Sequence, residues 1–310
     1  MKKNYNNNSN NKKFSKENER RGTQKRGNGN NNANGNKKHF ESRKPLNEGE
    51  KKLNFAKNIG GFLVVSLFIK NGTELNVVSN SIESALAIEH KKKVVVIFEN
   101  PKSSLVSSIR KKFESAFGIF FYTPKAKLTE SSSINASIAH TEVLHSFKSN
   151  FFLTLEGTTI IRQFSVEKML SFLCKPGDVL AVSPKFYDYA SKNIIQHCRR
   201  FFSFFNILFG LNEENAKKHF MMERGEVGYY SIHRIDYGSL ECMLFVTEAL
   251  TKVKSFPKFK NIDLRNSVLC KKFSKKTKGK IMFYPHSRVS SSIKDEEKPS
   301  FIEKLKYIFS

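Results

Sequence analysis

The chain has 310 residues, with 54 Lys or Arg against 28 Asp or Glu and a formal charge of +26. That length allows one large domain or two small ones with a real core. Such an excess of positive charge is tolerated most easily against a polyanion, with nucleic acid first and an anionic membrane surface second. The scattered Cys174, Cys198, Cys242 and Cys270 form no C-x-x-C pair, which argues against a structural zinc site and a disulfide framework. The apolar run Phe201 to Phe209 is far shorter than the roughly 20 residues needed to cross a bilayer, so no membrane partner is expected. The polar, Asn- and Lys-rich N-terminus reads as neither a secretory signal nor a transit peptide.

In chain order, residues 1–52 carry almost no apolar side chains and are expected to be a disordered basic arm. Residues 53–102 read as an α/β segment. In it, Gly61 to Ile69 forms a buried strand, Asn71-Gly72 a hairpin-type turn, Ser81 the cap of a short helix, and Val94 to Phe98 a second buried strand. From Ser103 the pattern turns helical: Leu105, Ile109, Phe113 and Phe117 recur at helical spacing beside Arg110, Lys111 and Lys112. Ser133 is the expected cap of a second helix through Ile138, Val143 and Phe147, and Phe151 to Leu155 is a strand ending at Glu156-Gly157. Met169 to Cys174 reads as extended. Lys175-Pro176-Gly177-Asp178 then forms a type II turn into a strand from Val179 to Val182, because Pro presets φ and Gly supplies its positive value. Residues 184–284 are expected to hold a helix from Tyr187 to Phe209, strands near Tyr229 to Ile232 and Cys242 to Val246, and a basic, Phe-interleaved tract from Lys252 to Lys280. Residues 285–310 read as a polar linker and a short amphipathic helix through Phe301, Leu305 and Ile308.

The order helix, helix, strand, Gly-ended turn, followed by Ser171, Phe172, Lys175, Pro176, Gly177, Asp178, Val179, Leu180 and Val182, resembles the RNA-binding module of ribosomal small-subunit protein four. Leu155-Glu156-Gly157 stands for the family's first turn, and Ile235 to Glu241 loosely resembles its closing segment. The resemblance spans residues 103–183, with a longer spacing between Gly157 and Ser171 than the family has. It implies an α+β fold in which a small helix–helix–strand RNA-binding module is inserted in a larger mixed α/β body. It also implies a structural constituent of the mitochondrial small ribosomal subunit. The partners would be small-subunit rRNA, neighbouring ribosomal proteins and messenger RNA where it enters the subunit.

No nucleophile, base and orienting group converge in the sequence, and no metal or cofactor motif is present, so a non-enzymatic protein without cofactors is expected. His140 and His145 lie five apart, which keeps them off one helical face. The expected RNA contacts are Arg110, Lys111, Lys112, Lys148, Lys175, Arg199, Arg200, Lys271, Lys272, Lys275 and Lys276, acting by phosphate neutralisation. A viral nucleocapsid, or another single-stranded RNA binder indifferent to sequence, is the alternative on the same charge pattern. An RNA-modifying enzyme carrying the module is a third.

Overall fold

Four largely apolar strands set the architecture. In the computed structural model, β1 (Leu63–Phe68), β2 (Lys93–Phe98), β3 (Ile119–Tyr122) and β4 (Phe151–Glu156) pair in parallel in the order β3-β2-β1-β4. The structure describes residues 60–70, 72–101, 103–192, 194–195, 201, 230–291 and 299–310, all within one unit, Leu46–Ser310. All six residues of β1 are buried. Val64 and Phe68 enter one core, and Leu63, Val65 and Leu67 enter the other, because successive side chains leave a strand on opposite faces.

Parallel strands cannot be joined by a two-residue turn and require a crossover. The crossovers are α1 (Leu75–Leu86), α2 (Val106–Phe113) and α3 (Ser132–Ser146). The expected hairpin at Asn71-Gly72 is therefore absent, and Gly72 lies on the path from β1 into α1. Ser81 is no cap: it sits inside α1, buried, and donates from Oγ to the Thr159 carbonyl at 2.6 Å. Ser131, and not Ser133, caps α3 by accepting from the Ile134 amide.

The second half of the chain extends the sheet. Its elements are β5 (Thr159–Ile161), α4 (Ser165–Leu173), β6 (Val179–Asp188), β7 (Ile194–Ile195), β8 (His233–Ile235), β9 (Cys242–Val246), α5 (Thr247–Thr251), α6 (Ile262–Thr277), β10 (Lys280–Ser291) and α7 (Phe301–Ile308). Strand β9 runs antiparallel between β4 and β6, so β6 and β10 resume the direction of β4. Among the described residues the sheet has ten strands, ordered β3-β2-β1-β4-β9-β6-β10-β5, with β7 on β6 and β8 on β10. Helices α3, α5 and α6 cover one face, and α1, α2 and α4 the other. Among the described residues no helix is long and apolar enough to cross a membrane.

This fold corrects the expectation of an inserted helix–helix–strand module. Strand β3 lies between α2 and α3, and the supposed β-ribbon does not form. Met169 to Cys174 is helical up to Leu173, because Val166, Met169, Leu170 and Leu173 fall at i, i+3, i+4 and i+7 and bury one face. The Pro176-Gly177 corner thus joins a helix to a strand. Gly177 has φ +151°, well away from the value near +80° that a type II turn needs. The expected helix from Tyr187 begins instead as the end of β6 and as β7. Its remainder, except Phe201, lies outside the described residues, as do the basic arm 1–52 and the pair Arg199-Arg200. Of the expected linker, residues 285–291 belong to β10, while 292–298 lie outside the described residues.

Candidate functional site

Strand order 3-2-1-4 reverses between β1 and β4, because the chain runs outward from β1 through β2 to β3 and then crosses back to place β4 on the other side of β1. In an open α/β sheet the crevice beyond the carboxyl ends of such a pair is where ligands bind. Three chain segments meet there. The Gly157 amide donates to the Phe68 carbonyl at 2.8 Å, which ties the end of β4 to the end of β1. The Glu156 amide donates to the Glu241 carbonyl at 3.1 Å, which ties it to the start of β9.

Their side chains form an ionic cluster. Lys70, two residues beyond β1, places Nζ 2.7 Å from Glu156 Oε2 and 2.9 Å from Glu241 Oε1. Arg265, near the start of α6, donates from Nη2 to Glu156 Oε1 at 2.6 Å and from Nη1 to the Ser133 carbonyl at 3.2 Å. Ser291 at the end of β10 donates from Oγ to Glu241 Oε2 at 3.0 Å. Helix α6 aims Arg265 here because Asn261 caps it, accepting from the Leu264 amide at 2.9 Å, with Leu264, Val268 and Leu269 burying one face.

The side chains of Glu156 and Arg265 are 0% and 1% exposed, and those of Glu241 and Lys70 are 8% and 14%. Burial alone would discharge such groups. It pulls the Lys70 ammonium down, but Glu156 and Glu241 outweigh it and hold the ammonium above its ordinary value. Burial likewise pushes the Glu156 carboxyl up, and Lys70 and Arg265 outweigh it and hold the acid well below the carboxylate range. Lys70 and Glu156 are thus held in their charged forms.

Below the cluster, His140 of α3 shares a hydrogen bond of 2.9 Å between Nδ1 and Ser66 Oγ. Its Nε2 has no hydrogen-bond partner among the described residues. Burial pushes the imidazole down to about 3, so it is neutral at physiological pH. Along the same edge Glu99, one residue beyond β2, accepts from Arg110 Nε and Nη2 at 2.9 and 2.6 Å and from Thr123 Oγ1 at 3.0 Å. Farther along the sheet, a cleft of about 320 Å³ between the start of α4 and the irregular stretch of β10 is lined by Arg162, Lys168, His286 and Arg288, among others.

The residues expected to contact RNA lie on separate elements. Arg110 is paired with Glu99, and Lys112 with Glu83 at 2.9 Å, in the last turn of α2; Lys111 beside them is exposed. Lys148 is exposed after α3, and Lys175 after α4, where its ammonium lies over the Phe172 ring. Lys271, Lys272, Lys275 and Lys276 follow one another on α6, with Lys271 over Tyr307. The aromatic residues interleaved with this tract, Phe256, Phe259 and Phe273, are buried in the core. Sequence reasoning did not place Lys70, Glu241 or Arg265 in a site, and it took Glu156 for a turn residue. The available signal was a carboxylate closing an otherwise apolar strand at Leu155-Glu156.

No family model matches the chain, and no curated protein matches it in sequence. Solved structures match it in fold. The mannosyltransferase PcManGT of Pyrobaculum calidifontis, in complex with GDP-Man and Mn2+, superposes with a TM-score of 0.52 at 11% identity over 77% of this chain and 59% of that one. GalNAc-T7 with UDP, GalNAc and Mn2+ gives 0.54 at 10% identity over 80% of this chain and 47% of that one. S. aureus TarS 1–349 in complex with UDP-GlcNAc gives 0.50 at 11% over 76% and 60%. This chain therefore spans less than two thirds of each of these chains. The chain thus shares the mixed, Rossmann-like sheet of these solved structures. That fold replaces the ribosomal reading, with its rRNA, ribosomal-protein and messenger partners, and it removes the ground for expecting a non-enzyme. A mixed sheet around a β1/β4 switch point is a different chain path from a helical hairpin with a bent ribbon.

Proposed function

We propose that the chain is a glycosyltransferase that binds a nucleoside diphosphate sugar in the crevice beyond β1 and β4 and passes the sugar to an acceptor hydroxyl. The observation that carries this reading is the convergence of Lys70, Glu156, Glu241 and Arg265 at the switch point of this particular fold. The neighbours solved with GDP-Man, UDP and UDP-GlcNAc support a nucleoside diphosphate as the ligand class. In the transfer, the bond between the sugar C1 and the diphosphate oxygen breaks, and its electron pair leaves with the diphosphate. The acceptor oxygen forms a new bond to C1 and gives its proton to solvent. The leaving diphosphate gains negative charge, which a fixed cation at the strand ends stabilises.

Two of the neighbours contain Mn2+. The donor set here does not fit a divalent ion. Both oxygens of Glu156 and both of Glu241 already face Lys70, Arg265 or Ser291, and no group of three or more His, Cys, Asp or Glu side chains among the described residues could hold one. Among the described residues, Lys70 and Arg265 supply positive charge at the crevice.

Calorimetric titration of the chain with UDP, GDP and their sugar conjugates tests the reading. Saturable binding of at least one, followed by enzymatic release of the free nucleotide when an acceptor is added, is the expected result. An absence of binding across the whole panel overturns it.

A further inference from the structure

We infer that the Lys70 ammonium, backed by the Arg265 guanidinium, stands where a divalent cation would otherwise sit between Glu156 and Glu241, so that this crevice takes no metal ion. The inference deepens the proposed function and rests on it where nucleotide is concerned.

The geometry is that of a cation bridging two carboxylates from neighbouring strands. Nζ lies 2.7 and 2.9 Å from one oxygen of each, β4 and β9 being adjacent. A magnesium-sized ion needs oxygens at about 2.0–2.1 Å in octahedral array, and the ammonium fills that space. The remaining two oxygens accept from Arg265 at 2.6 Å and Ser291 at 3.0 Å, and Glu156 Oε2, which accepts no hydrogen bond among the described residues, faces the Lys70 ammonium at 2.7 Å.

The charge count agrees. Two carboxylates with one ammonium and one guanidinium sum to zero, as two carboxylates with one dication would. Adding a dication to the present cluster would leave two uncompensated positive charges in a buried site, which a low-dielectric surrounding strongly disfavours. The lysine is held by its own backbone, because Thr73 Oγ1 donates to the Lys70 carbonyl at 3.0 Å and the segment continues β1. An ammonium has three N–H donors. One donates to Glu241 Oε1 at 2.9 Å, the ammonium pairs with Glu156 Oε2 at 2.7 Å by charge, and a further N–H has no partner among the described residues. That third donor is available to a diphosphate oxygen, which would make the lysine the counter-charge of the leaving group.

The test has a metal arm and a nucleotide arm, both on the full chain. In the metal arm, the electron paramagnetic resonance signal of free Mn2+ is followed as protein is added without nucleotide. The expected result is an undiminished signal with the wild type and loss of signal from one Mn2+ per chain with Lys70→Met, which frees the two carboxylates. Lys70→Arg keeps the positive charge and is expected to leave the signal undiminished. Mn2+ binding by the wild type that disappears in Glu156→Gln overturns the inference, as does a folded Lys70→Met chain that binds none. In the nucleotide arm, UDP and GDP are titrated in EDTA and in Mn2+, and the dissociation constants are expected to agree within about twofold. Affinity raised tenfold or more by Mn2+ overturns the inference and leaves the proposed function standing. Failure of both nucleotides to bind in either buffer overturns the proposed function, while the metal arm still decides whether Lys70 excludes the ion.

Discussion

Arg265 donates to Glu156 at 2.6 Å across 109 positions of sequence, with both side chains sealed from solvent. One element of the sheet and one of the helical layer are thereby locked by a charge pair. Removing one partner of such a pair leaves the other charged and buried, which costs about 3–5 kcal/mol. Arg265→Met and Glu156→Leu are each expected to lose about that much stability by urea unfolding. The double variant leaves Lys70 paired with Glu241 alone and is expected to be more stable than either single variant. Additive losses would show that the pair is not coupled.

Acid should unfold the chain from near neutrality downward. Burial pushes His140 to about 3 in the folded chain, from an ordinary value of 6.5, so between those limits the unfolded chain binds a proton that the folded chain refuses. Stability therefore falls as pH falls, by about 2 kcal/mol between pH 7 and pH 5 for this group alone. Glu156, held below its ordinary value of 4.5, stabilises the fold above that value, and its share is lost as pH drops through its folded value, with the same sign. Urea midpoints of His140→Gln measured at pH 7 and pH 5 should lie closer together than those of the wild type. An unchanged gap would show that the imidazole does not report on folding.

Gly238 is fixed by contact. A methyl group there would meet Ser183 Oγ at 2.5 Å and Ser183 Cβ at 2.7 Å, and the latter sits on the β6 backbone and cannot swing aside. Gly238→Ala is expected to cost about 1–3 kcal/mol by thermal or urea unfolding. Gly157 provides the contrast at the switch point. Its nearest neighbours, starting with the Phe68 carbonyl at 3.4 Å, leave room for a methyl group, so Gly157→Ala should be close to wild type in stability.

The thiols should separate by burial. Cys242 and Cys270 are buried and Cys174 is half-buried; burial pushes the thiols of both Cys174 and Cys242 up. In a Cys198→Ser chain, Ellman's reagent is expected to titrate Cys174 slowly while the protein is folded, and all three thiols once it is denatured. Rapid reaction of Cys242 would mean that the β4–β9 pairing opens.

Much of the secondary structure was legible because it is written locally. The apolar runs at Gly61 to Ile69, Val94 to Phe98, Phe151 to Leu155 and Cys242 to Val246 are strands, and the terminal helix carries its own signal, with Ser300 and Glu303 forming a capping box. Local chemistry misled where a short apolar stretch had two readings. Met169 to Leu173 became helix because its buried face continues back to Val166, outside the window that suggested a strand. Phe256, Phe259 and Phe273 are interleaved with basic side chains in sequence, yet they fill the space beneath α3 and α6. The site itself was hidden for another reason. Lys70 meets Glu241 across 171 positions, and no periodicity encodes a contact made by strand order alone. The charge excess drew attention to surface lysines, while the cations at the switch point, Lys70 and Arg265, are largely buried and paired with carboxylates.

The wide spacing of the ionic cluster sets a timetable for biogenesis. Glu156 leaves the ribosome 109 residues ahead of Arg265, a wait of about 5–20 s at ordinary elongation rates. Until α6 has been synthesised, the end of β4 is an acidic strand terminus without its guanidinium. The crevice is therefore completed only after Arg265 and Ser291 have been made, and a nascent fragment stopped short of Arg265 displays the parallel strands without a finished pocket.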